Sequence, residues 1–177
     1  MRTRFPAAPS PKAKAVRFQG TTEHHREGLK RLGDPGDYVL VVRGVPRSLV
    51  MSCPDGCGEI ITLNLDDRAG RTWRLYKKKG SITIYPSIWR DSGCRSHFIV
   101  RNNQIMWFGL FEETSVTLDD VLVKSVKKAL SVLRYKSYES IASKLGESPW
   151  DVLWACKKLV RNGEAVEGSR GNFRKPF

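Results

Sequence analysis

The sequence predicts an α+β protein in which a small antiparallel, zinc-stabilised all-β domain is followed by a winged-helix domain of three helices and a β-hairpin. Three observations predict it: short β-rich runs separated by turn residues, two close pairs of metal-ligand residues among those runs, and a change to helical hydrophobic spacing after Glu113. The expected domains are a disordered basic tail over 1–35, the zinc-binding β domain over 36–113 and the winged helix over 114–177.

Residues 1–35 are rich in Pro, Ala, Lys and Arg without apolar periodicity, so they offer little surface whose burial could offset the entropy of ordering. Glu23-His24-His25 is read there as solvated, and Gly33-Asp34-Pro35-Gly36 ends the tail. From Tyr38 to about Gly109 come YVLVV, RSLVMSC, EIITLNL, TWRLYK, SITIYPS, HFIVRN and QIMWFG, a pattern of short antiparallel strands with Asn102-Asn103 as a hairpin turn. Such a loop-rich span of about 70 residues gains from a metal staple.

After Glu112-Glu113, Leu118, Leu122, Val126, Leu130 and Leu133 keep helical spacing behind Thr117 as the N-cap. Ser137 opens a second helix with Ile141, Ala142 and Leu145 inward, and Gly146 stops it. Ser148-Pro149 opens a third, whose core stripe is Val152, Ala155, Cys156, Leu159 and Val160 and whose end is Gly163. The remaining residues form two short strands around Gly168–Gly171.

The formal net charge is +13, with basic ends and a nearly neutral middle. This balance fits a polyanionic partner, because clustered Lys and Arg release phosphate counterions. In a DNA complex the third helix would face the major groove with Asp151, Trp154, Lys157, Lys158 and Arg161, and the wing would add Arg170, Arg174 and Lys175. No apolar run approaches the length of a membrane span or a secretory signal, so the expected setting is the cytoplasm, with reduced thiols.

Cys53-Pro-Asp-Gly-Cys57 places two thiols on one tight turn, and Cys94-Arg-Ser-His97 supplies a second pair about forty residues later. Thiolate and imidazole are the usual ligands of tetrahedral structural Zn2+, so Cys53, Cys57, Cys94 and His97 are the expected ligand set. His97 begins an apolar strand; if it points elsewhere, Asp55, Asp91 or water takes the fourth position. Cys156, within a helical apolar stripe, is read as core.

CPDGCG (53–58), YPSIW (85–89), CRSHFIV (94–100) and NNQIMW (102–107) resemble the BubE family of bacteria, associated with ubiquitin-like conjugation genes. The resemblance covers about 38–109. It implies a ubiquitin-like protein or its conjugation enzymes as partners, and a role in processing or conjugating that protein. In a peptidase, Ser87, Ser96, Cys53 or Cys94 would be the nucleophile and His97 the base, with Asp91 or Asn102 as orienter. If zinc is held without His97, Ser87 is the preferred nucleophile and Asp91 the preferred orienter. A winged-helix DNA-binding regulator with a structural zinc, and a non-catalytic adaptor, are the alternatives.

Overall fold

The computed structural model describes residues 11–110 and 116–177; the first ten residues of the expected tail and the expected boundary at 113 lie outside them. The protein is mixed α+β with mainly antiparallel pairing, and it divides into two compact units, the first running to Phe108 and the second from Gly109.

In the first unit, β1 (Arg17–Thr22) is followed by the short helix α1 (His25–Leu29), then β2 (Asp37–Arg43), β3 (Val45–Ser52) and β4 (Ile60–Asn64). These strands form one sheet in the order β1-β2-β3-β4, antiparallel except for β1 alongside β2. The continuous apolar run of β2 has a simple cause: both its faces are covered. Tyr38 and Leu40 join the main core with Leu49, Met51, Leu63, Ile84 and Phe98, while Val39 and Val41 pack with Val50, Leu29 and Leu32 on the other face.

Part of the expected tail is therefore structured, since β1 and α1 both lie within 1–35. Strand pairing and polar contacts hold β1, and Leu29 packed inward holds the 5-residue α1, too short a pattern for apolar periodicity to reveal. Asp37, only 5% exposed, accepts from Arg17 Nε and Gln19 Nε2, both at 2.9 Å, and from the backbone amides of Gly33 and Asp34 at 3.1 and 2.9 Å. Burial would raise its pKa, but these donors together hold it below the ordinary value. Gly28 lets α1 approach β2, because a Cβ there would lie 2.8 Å from Val39 Cγ2.

The chain continues through β5 (Arg74–Lys78) and β6 (Ser81–Tyr85), a two-stranded antiparallel sheet, and then β7 (Ile88–Trp89), β8 (His97–Arg101) and β9 (Gln104–Trp107), an antiparallel sheet in the order β7-β8-β9. Asn102 and Asn103 both have positive φ, 48° and 64°, as a two-residue hairpin turn requires. Asn103 also ties the hairpin to β6: its Oδ1 accepts from Ile82 N, and its N–H donates to Ile82 O, each at 2.9 Å.

The second unit consists of α2 (Asp120–Ala129), β10 (Lys136–Ser137), α3 (Tyr138–Leu145), α4 (Pro149–Arg161), β11 (Val166–Glu167) and β12 (Asn172–Arg174). Its strands form an antiparallel sheet in the order β10-β12-β11, and Leu122, Val126, Ile141, Val152, Ala155, Cys156, Leu159 and Phe173 form its core. Ser137 caps α3 through Ser140 N–H, and Gly146 ends that helix in the left-handed conformation. Asp119, rather than Thr117, caps α2, its carboxylate accepting from Val121 N–H. Leu130 is extended at ψ 145°, so α2 ends there and Leu133, expected within the helical spacing, lies beyond it and is 85% exposed. No helix among the described residues is long and apolar enough to cross a membrane.

Candidate active site and metal centre

The β7-β8-β9 sheet separates the functional side chains from the core by simple alternation. Ile88 and Phe98, register partners, lie in the core with Trp107 packed against it. The neighbouring positions Ser87, Trp89 and His97 have the opposite parity. Trp89 is directly opposite His97 in the β7–β8 ladder, and Phe108, just beyond β9, donates its N–H to His97 O at 3.0 Å.

His97 Nε2 lies 3.0 Å from Ser87 Oγ, a hydrogen-bond distance. Its ring stacks on Phe108, with centroids 3.7 Å apart and planes 12° apart, and on Trp89, at 5.7 Å and 28°. Burial lowers the pKa of His97, favouring the neutral imidazole that can accept a hydroxyl proton. Trp73 Nε1 donates to Ser87 O at 3.4 Å, and the same Trp73 lines an open groove of about 750 Å3 with Pro46, Arg47, Leu65 and Leu75. Asp91 is exposed, and among the described residues no hydrogen bond or ion pair joins it to His97.

Beside this pair, the sulfurs of Cys53, Cys57 and Cys94 lie within 4.8 Å of one another and could hold a metal ion. Cys53 and Cys57 sit in the β3–β4 connection, where Gly56 N–H donates to Cys53 O at 3.2 Å and Cys53 N–H donates to Glu59 O at 2.8 Å. Gly56, at φ 82°, supplies the backbone conformation this knuckle needs. Cys94 comes from the β7–β8 connection. Its Sγ is 3.6 Å from Cys53 Sγ, close to the roughly 3.8 Å expected of two sulfurs each about 2.3 Å from a shared tetrahedral ion, and far from a disulfide at about 2.05 Å. The donor set therefore fits a zinc-like ion.

Of the alternative fourth ligands, Asp55 forms an ion pair with Lys12 at 3.0 Å, and neither Asp91 nor His97 belongs to the three-sulfur cluster. His97 is turned to Ser87 instead, because its strand register sends it to the face that carries Ser87. Buried Ser96 bridges the sulfurs, its Oγ lying 3.3 Å from Cys94 Sγ and 3.7 Å from Cys53 Sγ. Burial first, then neighbouring thiols, push Cys57 up to about 11, whereas for Cys94 burial is outweighed by hydrogen bonds from the Ser96 hydroxyl and amide and from the Cys57 and Cys53 thiols, which hold it below its ordinary value. Arg90, ion-paired with Glu59, has a guanidinium nitrogen 4.0 Å from Cys57 Sγ.

The chemistry assembled here has a relative. Residues 23–108 match the model of the family described as bacterial ubiquitination-like system serine protease, BubE. That segment is BubE-like. No curated protein and no solved structure matches the chain. The BubE-like segment contains β2 to β9 and hence both the Ser87–His97 pair and all three clustered cysteines.

The candidate nucleic-acid residues have mixed surroundings. Arg161 and Arg170 are exposed, Lys157 and Lys158 are half-buried on α4, and Lys158 lies 3.6 Å from Asp120. Arg174 packs over the rings of Phe177 and Tyr135, and Lys175 N–H is bonded to Ser131 O. Trp154, expected on the outward face, is 2% exposed and stacks on Trp150, so the apolar face of α4 is wider than its aliphatic stripe indicates. Cys156 is fully buried, and burial pushes its thiol up to about 12, in keeping with a core residue. Trp73, Trp89 and Phe108 escaped the sequence reading, for which the signal available was the shared parity of Ser87, Trp89 and His97; Ser96, expected as a candidate nucleophile, lies instead against the sulfurs of Cys53 and Cys94.

Proposed function

We propose that this protein is a serine peptidase of a bacterial ubiquitin-like modification pathway, cleaving a peptide bond of the ubiquitin-like protein or its conjugates in the cytoplasm. The observation that carries the reading is the 3.0 Å contact of His97 Nε2 with Ser87 Oγ inside a segment matching a serine-protease family. Ser87 Oγ attacks the scissile carbonyl carbon while His97 Nε2 takes its proton; His97 then donates that proton to the leaving amine as the C–N bond breaks. Water, deprotonated by the same nitrogen, then bonds to the acyl carbon, the C–Oγ bond breaks, and His97 Nε2 returns the proton to Ser87 Oγ as the carboxylic product leaves. The open groove beside Trp73 supports an extended peptide as substrate, since Trp73 both lines it and contacts the Ser87 backbone.

Cys53, Cys57 and Cys94 would hold a structural Zn2+ with a fourth group. When bound, the ion joins the β3–β4 and β7–β8 connections and so fixes the start of the strand that carries His97. The helix–strand–helix–helix–hairpin order of the second unit supports a winged helix.

A fluorophosphonate probe tests the reading directly. Labelling should occur at Ser87, located by peptide mass spectrometry, and vanish in Ser87→Ala. Labelling at another serine, or unchanged labelling of the variant, would remove Ser87 as the nucleophile.

A second reading, DNA binding by the winged helix, rests on the exposure of Arg161 and Arg170 at the end of α4 and in the β11–β12 turn. It predicts duplex binding that weakens with salt and with Arg161→Ala and Arg170→Ala.

A further inference from the structure

A serine–histidine pair ordinarily uses a carboxylate for two tasks: it fixes the imidazole's orientation and stabilises the imidazolium formed when the serine proton arrives. Among the described residues no carboxylate bonds to His97, and Asp91 is exposed elsewhere in the β7–β8 connection. Among the described residues, the rings of Trp89 and Phe108 stack on His97. Resting on the peptidase reading above, we infer that Phe108 and Trp89 are positioning residues that take over both tasks by holding the imidazole between two rings.

The strand order makes the clamp. His97 is on the middle strand of β7-β8-β9, Trp89 is its register partner on β7, and Phe108 is bonded to its carbonyl from the end of β9. The two rings therefore flank the imidazole from opposite neighbouring strands, and both stack rather than meet it edge-on. A ring on either side opposes rotation of the imidazole out of its plane, leaving Nε2 aimed at Ser87 Oγ. A π face also attracts the imidazolium more strongly than the neutral ring, which favours the charge that proton transfer creates. Phe108, at 3.7 Å and 12°, contributes more than Trp89, at 5.7 Å and 28°. Both side chains are substantially exposed, 43% for Phe108 and 70% for Trp89, so neither is needed for the core.

The test is the concentration dependence of labelling by a fluorophosphonate, which separates probe affinity from the chemical step. In that step Ser87 Oγ forms a bond to phosphorus, the P–F bond breaks with fluoride taking the electron pair, and the hydroxyl proton passes to His97 Nε2. Phe108→Leu should lower the maximal labelling rate by about 10-fold or more, as loss of alignment does. The half-saturating probe concentration should change by less than about 2-fold, because affinity is not what the rings supply. Phe108→Tyr, which keeps the stacking face, should recover the rate, and Trp89→Leu should lower it less than Phe108→Leu. Wild-type rates in both leucine variants, a loss confined to affinity, or a loss that Phe108→Tyr does not recover would each overturn the inference while leaving the peptidase reading intact. Absence of Ser87 labelling in the wild-type protein would overturn both.

Discussion

The three clustered cysteines and the Ser87–His97 pair meet the same β7–β8 hairpin, through Cys94 in its connection and through Ser87 and His97 at its strands, but they are built in opposite ways. The cysteines bring together two connections far apart in sequence, with Cys53 buried and Ser96 between the sulfurs, an arrangement suited to holding a fold together. His97, at the start of β8, and Ser87, just before β7, share the parity opposite to the core, and the rings that stack on His97 are partly open to solvent, an arrangement suited to meeting a substrate. The difference teaches that Cys94 and His97, three residues apart and one plausible ligand pair by spacing, turn to different clusters, Cys94 to the sulfurs and His97 to Ser87.

If the three cysteines hold a structural zinc, as proposed, removing it should have the largest effect. Structural zinc supplies on the order of 10 kcal/mol of coupled binding and folding free energy. A strong chelator, or Cys94→Ser, should therefore abolish the unfolding transition of the β unit, while the helical unit, with its own core of Leu122, Val126, Val152 and Phe173, keeps its transition. Calorimetry of the full chain reads both. One unchanged transition would break the structural half of the comparison.

A smaller effect is expected away from both clusters. Asp37→Ala leaves Arg17, Gln19 and two backbone amides without their shared acceptor, and should cost about 2 to 3 kcal/mol by chemical denaturation. Because the folded pKa of Asp37 is depressed, its contribution is present above the unfolded value of 3.8 and is lost as pH falls through the lower folded value. The stability difference between wild type and Asp37→Ala should accordingly shrink in strong acid.

These cases mark how far the sequence is legible. Local signals read well: Asn102-Asn103 forms the hairpin turn, Ser137 and Gly146 bound α3, and the cysteine spacing leads to the cluster. Features made by distant contacts do not. β1 is held by Asp37 and by pairing with β2, and α1 by Leu29 against Val39 and Val41, so a segment without apolar periodicity is nonetheless structured. Leu133 keeps helical spacing but falls beyond the end of α2, and Trp154 is drawn inward with Trp150. The direction of His97 depends on register across three strands, which residue spacing alone does not carry.

A gentler probe of the pair is pH. Burial lowers the His97 pKa below 6.5, so the neutral base should persist on acidification, and the Ser87 labelling rate should fall only as pH passes through that lowered value. The same shift means His97 costs the fold nothing above pH 6.5; below it protons favour the unfolded chain, and the loss levels off below the folded pKa. A labelling rate that falls with a midpoint above 6.5 would contradict this.

The separation of the two clusters rests finally on one residue. Measuring zinc content and Ser87 labelling together in His97→Ala tests it most directly. The account predicts a folded protein that retains one zinc ion per chain and has lost its labelling at Ser87; loss of the zinc together with the β unit's unfolding transition would return His97 to the metal and contradict it.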